Sequence, residues 1–281
     1  MRVGLCVGVK GDPKIIRLRE YVEHYINLGF DKIFLYDNNE LDGPNPLEDL
    51  KGLEEYIEYR PIRGVHSKDR QWGSYTDCYI HYNYDYDWIL FADDDEYLVL
   101  NEDKSIKDYL SRPEFQDADC IHVNWKIFNS GDILFEDANI PLIEQYKQTI
   151  PYDLCNYPGI PEDDHVKTIV HCTGKVIYFY HPHFATTCKG KLKCVNASGV
   201  PCKSEYPFSA HDYKLAALNH YQARSVDVFC YKRLGGRGMR MFDDYPFIPK
   251  KEIERYFKYN TRTPEREEYI LKWCEEHGIV I

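Results

Sequence analysis

Apolar residues recur along this chain in two rhythms, and the switches between them outline the fold. Arg2 to Val9 is a short run rich in Val, Leu and Gly that predicts a first strand, broken by Lys10-Gly11-Asp12-Pro13. Ile15, Ile16, Leu18, Tyr21, Val22, Tyr25, Ile26 and Leu28 then fall at helical spacing, and Gly29 closes that helix. Lys32 to Tyr36 predicts a second strand, with Asp37-Asn38-Asn39 at its carboxyl end and a turn at Asp42-Gly43-Pro44. Strand, helix and strand within so short a span form a βαβ unit, so the two strands should run parallel with a right-handed crossover. A short helix over 46–53, a third strand at Glu55 to Arg60 and a helix over 69–84 follow. Trp88 to Ala92 is a fully apolar run, as expected of a strand inside a parallel sheet. A helix over 105–111 and a strand from Cys120 to Trp125 complete a doubly wound α/β pattern.

After Phe128 the texture changes. Asn129-Ser130-Gly131-Asp132 is a turn, and residues 132–165 are irregular and rich in proline. Thr168 to Cys172 and Lys175 to Tyr180 are strand-like, with Gly174 set for a tight turn between them. Residues 186–210 predict a loop or hairpin insertion, and Tyr213 to Tyr221 leads into His220. Two helices over 250–259 and 264–276 end the chain, the second opened by Thr263-Pro264-Glu265. The expected division is an α/β half at 1–128, a closing half of the same domain at 129–245, and a helical tail at 246–281.

The apolar run at Trp88 stops in four consecutive acids, Asp93-Asp94-Asp95-Glu96, and apolar residues resume at Tyr97. Ligand sites of open α/β sheets lie beyond the carboxyl ends of the strands. Four carboxylates packed there repel one another unless a cation intervenes, and all-oxygen ligation suits Mg²⁺ or Mn²⁺. A solvated acidic loop or the cap of a following helix is the plain alternative. Late in the chain Arg224, Lys232, Arg233, Gly235, Gly236, Arg237, Gly238 and Arg240 gather into a basic, glycine-rich segment. A parallel sheet, an acid cluster, a late histidine and a basic segment together suit a nucleotide diphosphate: a metal bridges its oxygens, and Lys and Arg take up charge as it departs. Asp37 and Asn38 lie where a base or ribose would be read. No glycine-rich phosphate loop follows the first strand, which argues against a dinucleotide dehydrogenase and a P-loop kinase.

Bulk properties narrow this further. The 281 residues carry a formal net charge of −11, which excludes a general nucleic-acid binder. Tyr is abundant at 25 residues, and tyrosine faces suit sugars as well as cores. Of 10 Cys, Cys6, Cys78 and Cys120 read as small buried residues. Cys188, Cys194 and Cys202 cluster near His171, Cys172, His181 and His183 without the paired C-x-x-C spacing of a zinc site, so free thiols are expected. With no signal peptide or long apolar stretch, a cytoplasmic location is expected. Peripheral membrane contact and oligomeric state are left open.

Here the chain resembles GT-A glycosyltransferases, specifically glycosyltransferase family 92, with family 2-like enzymes related more loosely. The resemblance rests on Lys10; Glu20-Tyr21 with His24-Tyr25 and Gly29; Tyr36-Asp37-Asn38; Gln71; Asp77-Cys78; and Trp88 through Tyr97. It continues in Trp125 through Gly131, Lys175, His220-Tyr221-Gln222-Ala223-Arg224-Ser225, Phe229, Lys232 and Arg237-Gly238. Two departures stand out: Leu234-Gly235-Gly236 lengthens the spacing before Arg237-Gly238, and the family's Phe-Gly is Phe128-Asn129 here.

The resemblance implies a GT-A fold: a Rossmann-like, mixed but mainly parallel sheet flanked by helices, with a C-terminal acceptor-side region. It implies a nucleotide-sugar donor, UDP-hexose favoured, a divalent metal, Mn²⁺ or Mg²⁺, and anomeric inversion onto a glycan or lipid-linked glycan. Asp93 and Asp95 fall on the family's Asp-x-Asp, with Asp95 the direct metal ligand, Asp93 reaching ribose or metal water, and Asp94 and Glu96 beside them. His220 falls where many such enzymes place a late metal-binding histidine. Lys232 and Arg237 are expected on the diphosphate, and Lys10, Gln71 and Asp77 are carried over as donor-site positions. An inverting transfer needs a carboxylate base. The candidates are Glu162, Asp163, Asp164 and Asp212, the pair Glu162-Asp163 being preferred and His183 a weaker choice. The rivals are a nucleotidyltransferase or metal-dependent phosphohydrolase on the same acids, and a non-catalytic module whose acids hold an ion. Lacking an anchor, the chain is expected to be a bacterial or viral surface-glycan enzyme.

Overall fold

The computed structural model describes residues 1–64, 70–157, 159–175, 177–235 and 247–281. The first half follows the predicted order: β1 (Val3–Val9), α1 (Leu18–Asn27), β2 (Lys32–Asp37), β3 (Ile57–Pro61), α2 (Arg70–Tyr82), β4 (Trp88–Asp93), β5 (Glu96–Leu100) and α3 (Ile106–Leu110). The helix expected over 46–53 is only a 3-10 turn, Pro46–Glu48, and the chain has left helical geometry by Gly52, at φ 87. The second half contributes β6 (Cys120–Asn129), α4 (Leu142–Gln145), β7 (Cys155–Tyr157), β8 (Ile160–Pro161), β9 (Val166–His171), β10 (Tyr178–His181), β11 (Phe184–Thr186), β12 (Cys194–Asn196), β13 (Pro201–Cys202) and β14 (Ala216–Ala223). After β14 come α5 (Val226–Phe229), one π-helical turn at Cys230–Leu234, α6 (Pro249–Tyr259) and α7 (Pro264–Glu276).

The main sheet runs β13-β12-β6-β9-β4-β1-β2-β3. Strands β3, β2, β1 and β4 are parallel, as the βαβ reading requires. Between β4 and β6 the sheet departs from pure doubly wound order: β9 inserts antiparallel to both. The segment read as one arm of a tight hairpin at Gly174 is therefore a central strand, and β10 pairs instead with β11. A second ladder turns off the first: β6 runs on past Trp125 to pair with β14, and β14 pairs antiparallel with β5. Register places His220 opposite both Glu96 and Ile127. The result is the α/β, mixed and mainly parallel architecture of a GT-A fold.

Alternation along the strands sorts side chains to two cores. Leu5, Val7, Ile33, Leu35 and Leu90 face α1 and α3, whereas Cys6, Phe34, Ile89 and Phe91 face Tyr75, Cys78 and Tyr79 of α2. Helix α1 buries Leu18, Tyr21, Val22 and Tyr25, the predicted stripe, and ends with Gly29 at φ 91, donating to Ile26 O while Phe30 N reaches Tyr25 O. The tail helices pack on α5 and the π-turn. Asn260 accepts from Ser130 N at 2.8 Å, and Arg266 donates to Gly131 O at 2.6 Å, so the tail braces the end of β6.

A buried ion cluster ties the two halves together behind the site. Glu136 accepts from Arg224 Nε at 2.8 Å and from Tyr146 OH at 2.9 Å, lies 3.6 Å from Arg17, and Arg224 also donates to Ile15 O at 3.0 Å. Removing one member of such a cluster strands the others without water. Glu136→Gln should therefore lower unfolding free energy in urea by about 3–5 kcal/mol. A loss below about 1 kcal/mol, the scale of a surface pair, would show that the cluster does not hold the halves together.

Candidate active site

Strand β4 delivers Asp93 to the carboxyl edge of the sheet, level with Gly8 of β1, while Val9 is level with Asp37 of β2. The chain then turns sharply through Asp94 and Asp95 into β5, and the turn closes on itself: Asp93 N donates to Glu96 Oε2 at 2.8 Å. Glu96 is fully buried, and burial pushes its carboxyl well above the usual range. The partner that makes this tolerable is Lys167 of β9, also fully buried, with Nζ 3.0 Å from Asp93 Oδ1 and 3.7 Å from Glu96 Oε2. Gln71 and Tyr75 of α2 donate to the same Asp93 oxygen, Tyr75 at 3.1 Å.

Asp94 and Asp95 point the other way. Lys232, on the π-turn, places Nζ 3.2 Å from Asp94 Oδ1 and 3.2 Å from Asp95 Oδ2. Burial pushes Asp94 up to about 6 against the pull of Lys232. Burial also raises Asp95, but Lys232, His220 and Arg233 outweigh it and hold that carboxylate well below its ordinary range. His220 Nε2 stands 3.4 Å from Asp95 Oδ1, its ring against Trp125 at 4.2 Å. Burial lowers the His220 pKa and so favours the neutral imidazole, the form that ligates a metal. Its Nδ1 is buried with no hydrogen-bond partner among the described residues. An acid paired with a neutral imidazole fits a divalent cation, with Mn²⁺ suited better than Mg²⁺ by the nitrogen donor. The proposed trio does not converge as a unit, however. Among the described residues no group containing Asp93, Asp95 and His220 has its ligand atoms within 4.8 Å of one another, because Asp93 is turned toward Lys167. Asp95 and His220 are the pair brought together.

The repulsion that suggested a metal is thus met in the protein by two ammonium groups. Sequence reasoning placed Lys232 on the diphosphate, and here it lies on the acids themselves. It missed Lys167 altogether. The available signal was a single charge in the otherwise apolar run Val166-Lys167-Thr168-Ile169-Val170. Arg237 lies outside the described residues.

The other donor-side positions sit around the same edge. Lys10 is buried with Nζ 3.5 Å from Glu40. Asp37 is fully engaged, its Oδ2 taking Tyr59 OH and Arg63 Nε, each at 2.6 Å, and its Oδ1 taking Asn39. It orders the loop after β2 rather than presenting a free carboxylate. Asn38 is buried with Oδ1 unpartnered among the described residues, an acceptor that a donor group could satisfy. Asp77 accepts from Tyr36 OH at 2.6 Å and Arg60 at 3.3 Å, and lines a cleft with Tyr59, Arg70 and Ser74, apart from the acidic turn.

Across the turn, the base candidates separate. Glu162, Asp163 and Asp164 form a 3-10 turn just before β9. Glu162 is buried, accepting from Tyr259 OH at 2.7 Å and Lys258 Nζ at 3.2 Å, with His165 Nδ1 3.7 Å from its other oxygen. His165 stacks on Trp125 at 4.7 Å, so Glu162 joins the ring layer that ends at His220. Asp163 spends Oδ1 on Ile127 N at 3.0 Å, and burial raises its pKa. Asp164 accepts from His211 N at 3.1 Å, and Asp212 from Asn196 at 3.0 Å and Lys214 N at 2.9 Å, so Asp212 braces the loops beside β12. His183 is buried and held neutral by burial and by Lys167, with Nδ1 on Val166 O.

Residues 2–231 match the model of glycosyltransferase family 92, and the chain belongs to that family. It is a glycosyltransferase, which sets aside nucleotidyl transfer, phosphate hydrolysis and a purely structural module. No protein in the curated set matches the sequence significantly. Among solved structures, S. aureus TarS 1-349 aligns at 12% identity over 99% of this chain and 72% of its own, with a TM-score of 0.37. Its complex with UDP reaches 0.39 over the same shares, and HddC from Yersinia pseudotuberculosis 0.36 at 14% identity over 70% of this chain and 90% of its own. Likenesses this faint carry no inference about ligands. No helix among the described residues is long and apolar enough to cross a membrane.

The lysine compensation has a direct test. Lys167→Met leaves Asp93 and Glu96 facing one another and should cost about 3–5 kcal/mol in urea unfolding. Adding Glu96→Gln should restore most of that loss. A single variant as stable as the parent would mean that Lys167 does not hold the turn.

Proposed function

We infer that this enzyme moves a sugar, with inversion, from a nucleotide-diphosphate donor to a hydroxyl of a glycan or lipid-linked glycan, using a divalent cation. The carrying observation is the acidic turn at the end of β4 with Lys232 reaching across it: Asp95 and His220 offer cation ligands, and a lysine Nζ lies 3.2 Å from two carboxylates. Lys232 would exchange those acids for the β-phosphate of a donor. A divalent cation, when bound, supplies Lewis-acid charge to the diphosphate oxygens. Asp95 and His220 would hold it, and substrate oxygens would fill its remaining positions. Lys232 would then stabilise the charge that grows as the sugar–phosphate bond breaks. Lys10, Asn38 and Gln71 border the donor edge. A UDP-hexose is the favoured donor, from the family resemblance.

For the base, Glu162 is preferred within the Glu162-Asp163 pair. Its carboxylate is oriented by Lys258 and Tyr259 and adjoins the His165–Trp125–His220 layer, whereas Asp163 is spent on the backbone of β6. As base, Glu162 would take the proton from the acceptor oxygen as that oxygen attacks the anomeric carbon opposite the departing nucleoside diphosphate.

Two measurements test this reading. Incubated with a panel of nucleotide sugars and Mn²⁺, the protein should release nucleoside diphosphate from one donor, and EDTA or Asp95→Asn should abolish release. Lys232→Met should slow it by about 10²–10³-fold, as expected for removing one charge-stabilising donor. Release that persists in both EDTA and Asp95→Asn would remove the cation from the account. With an acceptor in hand, Glu162→Gln should lower kcat by about 10²–10⁴-fold with little change in KM for the donor, whereas Asp163→Asn should mainly lower thermal stability. The reverse pattern would move the base to Asp163.

A further inference from the structure

At the sheet edge farthest from β3, three strands bring sulfur and nitrogen ligands to one face. Cys120 and His122 are two apart on β6 and so point the same way. Cys194 of β12 is in register with Cys120, and Cys202 of β13 is in register with Cys194. One ligand atom each of Cys120, His122 and Cys194 lies within 4.8 Å of the other two. Cys202 Sγ lies 3.3 Å from Cys194 Sγ and 3.9 Å from His122 Nδ1. Sulfurs sharing a tetrahedral zinc stand about 3.8 Å apart, the edge length that follows from Zn–S bonds of about 2.3 Å. The Cys194–Cys202 separation is shorter than that edge, and Cys202 lies outside the converging trio of Cys120, His122 and Cys194, so it would complete the set by a small side-chain shift as the ion enters.

Two further facts point to a ligand here. His122 is fully buried in the sheet, and its Nε2 has no hydrogen-bond partner among the described residues. Burying that ring nitrogen without a partner costs stability unless something joins it. The segment these residues clamp is also weak in itself: β12 and β13 span three and two residues between long irregular stretches.

We propose that Cys120, His122, Cys194 and Cys202 form a structural zinc site that staples the β12–β13 hairpin to β6. Binding takes up one zinc ion as three thiolates and a neutral imidazole, and three thiol protons go to solvent. All four positions are taken by protein, which leaves no open coordination for chemistry. The site lies on the opposite side of β9 from the acidic turn, so it is a structural element separate from the donor-site cation. Cys188, the third member of the cluster seen in the sequence, is exposed and outside the set, whereas Cys120 and His122 enter it from β6. A Cys194–Cys202 disulfide is the competing outcome. It would consume two of the four ligands and leave Cys120 and His122 converging on nothing.

The test is zinc content of the full-length protein, purified under reducing conditions and dialysed against metal-free buffer. The expected result is about one zinc per chain, retained in Cys188→Ser and in Asp95→Asn and lost in Cys202→Ser and His122→Asn. Should those last two variants fail to fold, the parent protein decides: stripped of zinc and given Co²⁺, it should develop thiolate-to-cobalt charge-transfer absorption, and chelation should lower its Tm. Zinc lost in Asp95→Asn but kept in Cys202→Ser would place the ion at the acidic turn and overturn the proposal. So would a reduced protein that takes up neither zinc nor cobalt, or one in which thiol titration under denaturing conditions, before any reductant, finds two of the ten thiols already joined.

Discussion

The site depends on how this fold keeps four adjacent acids together in a place with little water. Two like charges about 4 Å apart interact by roughly 4 kcal/mol at the effective dielectric of a protein surface, and by more inside. Asp93, Asp94, Asp95 and Glu96 escape that cost by dividing between two lysines that arrive from opposite directions. Lys167 faces the inner pair from β9 and Lys232 the outer pair from the turn after β14, and burial, by raising the carboxyls of Glu96 and Asp94, lowers the charge that is left. Each lysine belongs to an element whose placement is otherwise unusual. Strand β9 must insert antiparallel into a parallel sheet to bring Lys167 beside Asp93. The C-terminal segment must fold back over the sheet edge to bring Lys232 to Asp95.

That arrangement also divides the work at the site. The inner pair is a fixed support: Glu96 and Lys167 are fully buried, and Asp93 is held in addition by Gln71 and Tyr75. The outer pair is the responsive part. Asp95 keeps its charge, burial favours the neutral His220, and Lys232 bridges Asp94 and Asp95. The Trp125, His165 and His220 rings then link this edge to Glu162.

What could be seen in the residues alone was whatever local periodicity encodes. The α1 stripe with its Gly29 cap, the apolar strand ending at Asp93, and α7 opening at Pro264 stand where the pattern put them. The acidic turn itself was legible too, as an apolar strand that breaks off in four consecutive acids. The partners of those acids were not. Lys167 and Glu96 are 71 residues apart in the chain, and only the antiparallel insertion of β9 brings them together. The same holds for Cys120 and His122, which give no spacing signal with Cys194 and Cys202 until three strands are laid side by side. Asp37 stands at its predicted strand end, but Tyr59 and Arg63, which occupy its carboxylate, come from 22 and 26 residues away and gave no local signal.

The central claim is that the outer acids, His220 and Lys232 make one site for a nucleoside diphosphate and a divalent cation. Its most direct test is thermal unfolding of the full chain with UDP and GDP, each with and without Mn²⁺. A ligand at about 100 times its Kd stabilises the folded state by about 2.7 kcal/mol, a readily measured rise in Tm. The account predicts that one nucleotide raises Tm only when Mn²⁺ is present, and that Asp95→Asn abolishes the rise. No metal-dependent stabilisation by either nucleotide, or a rise that survives in Asp95→Asn, would contradict it.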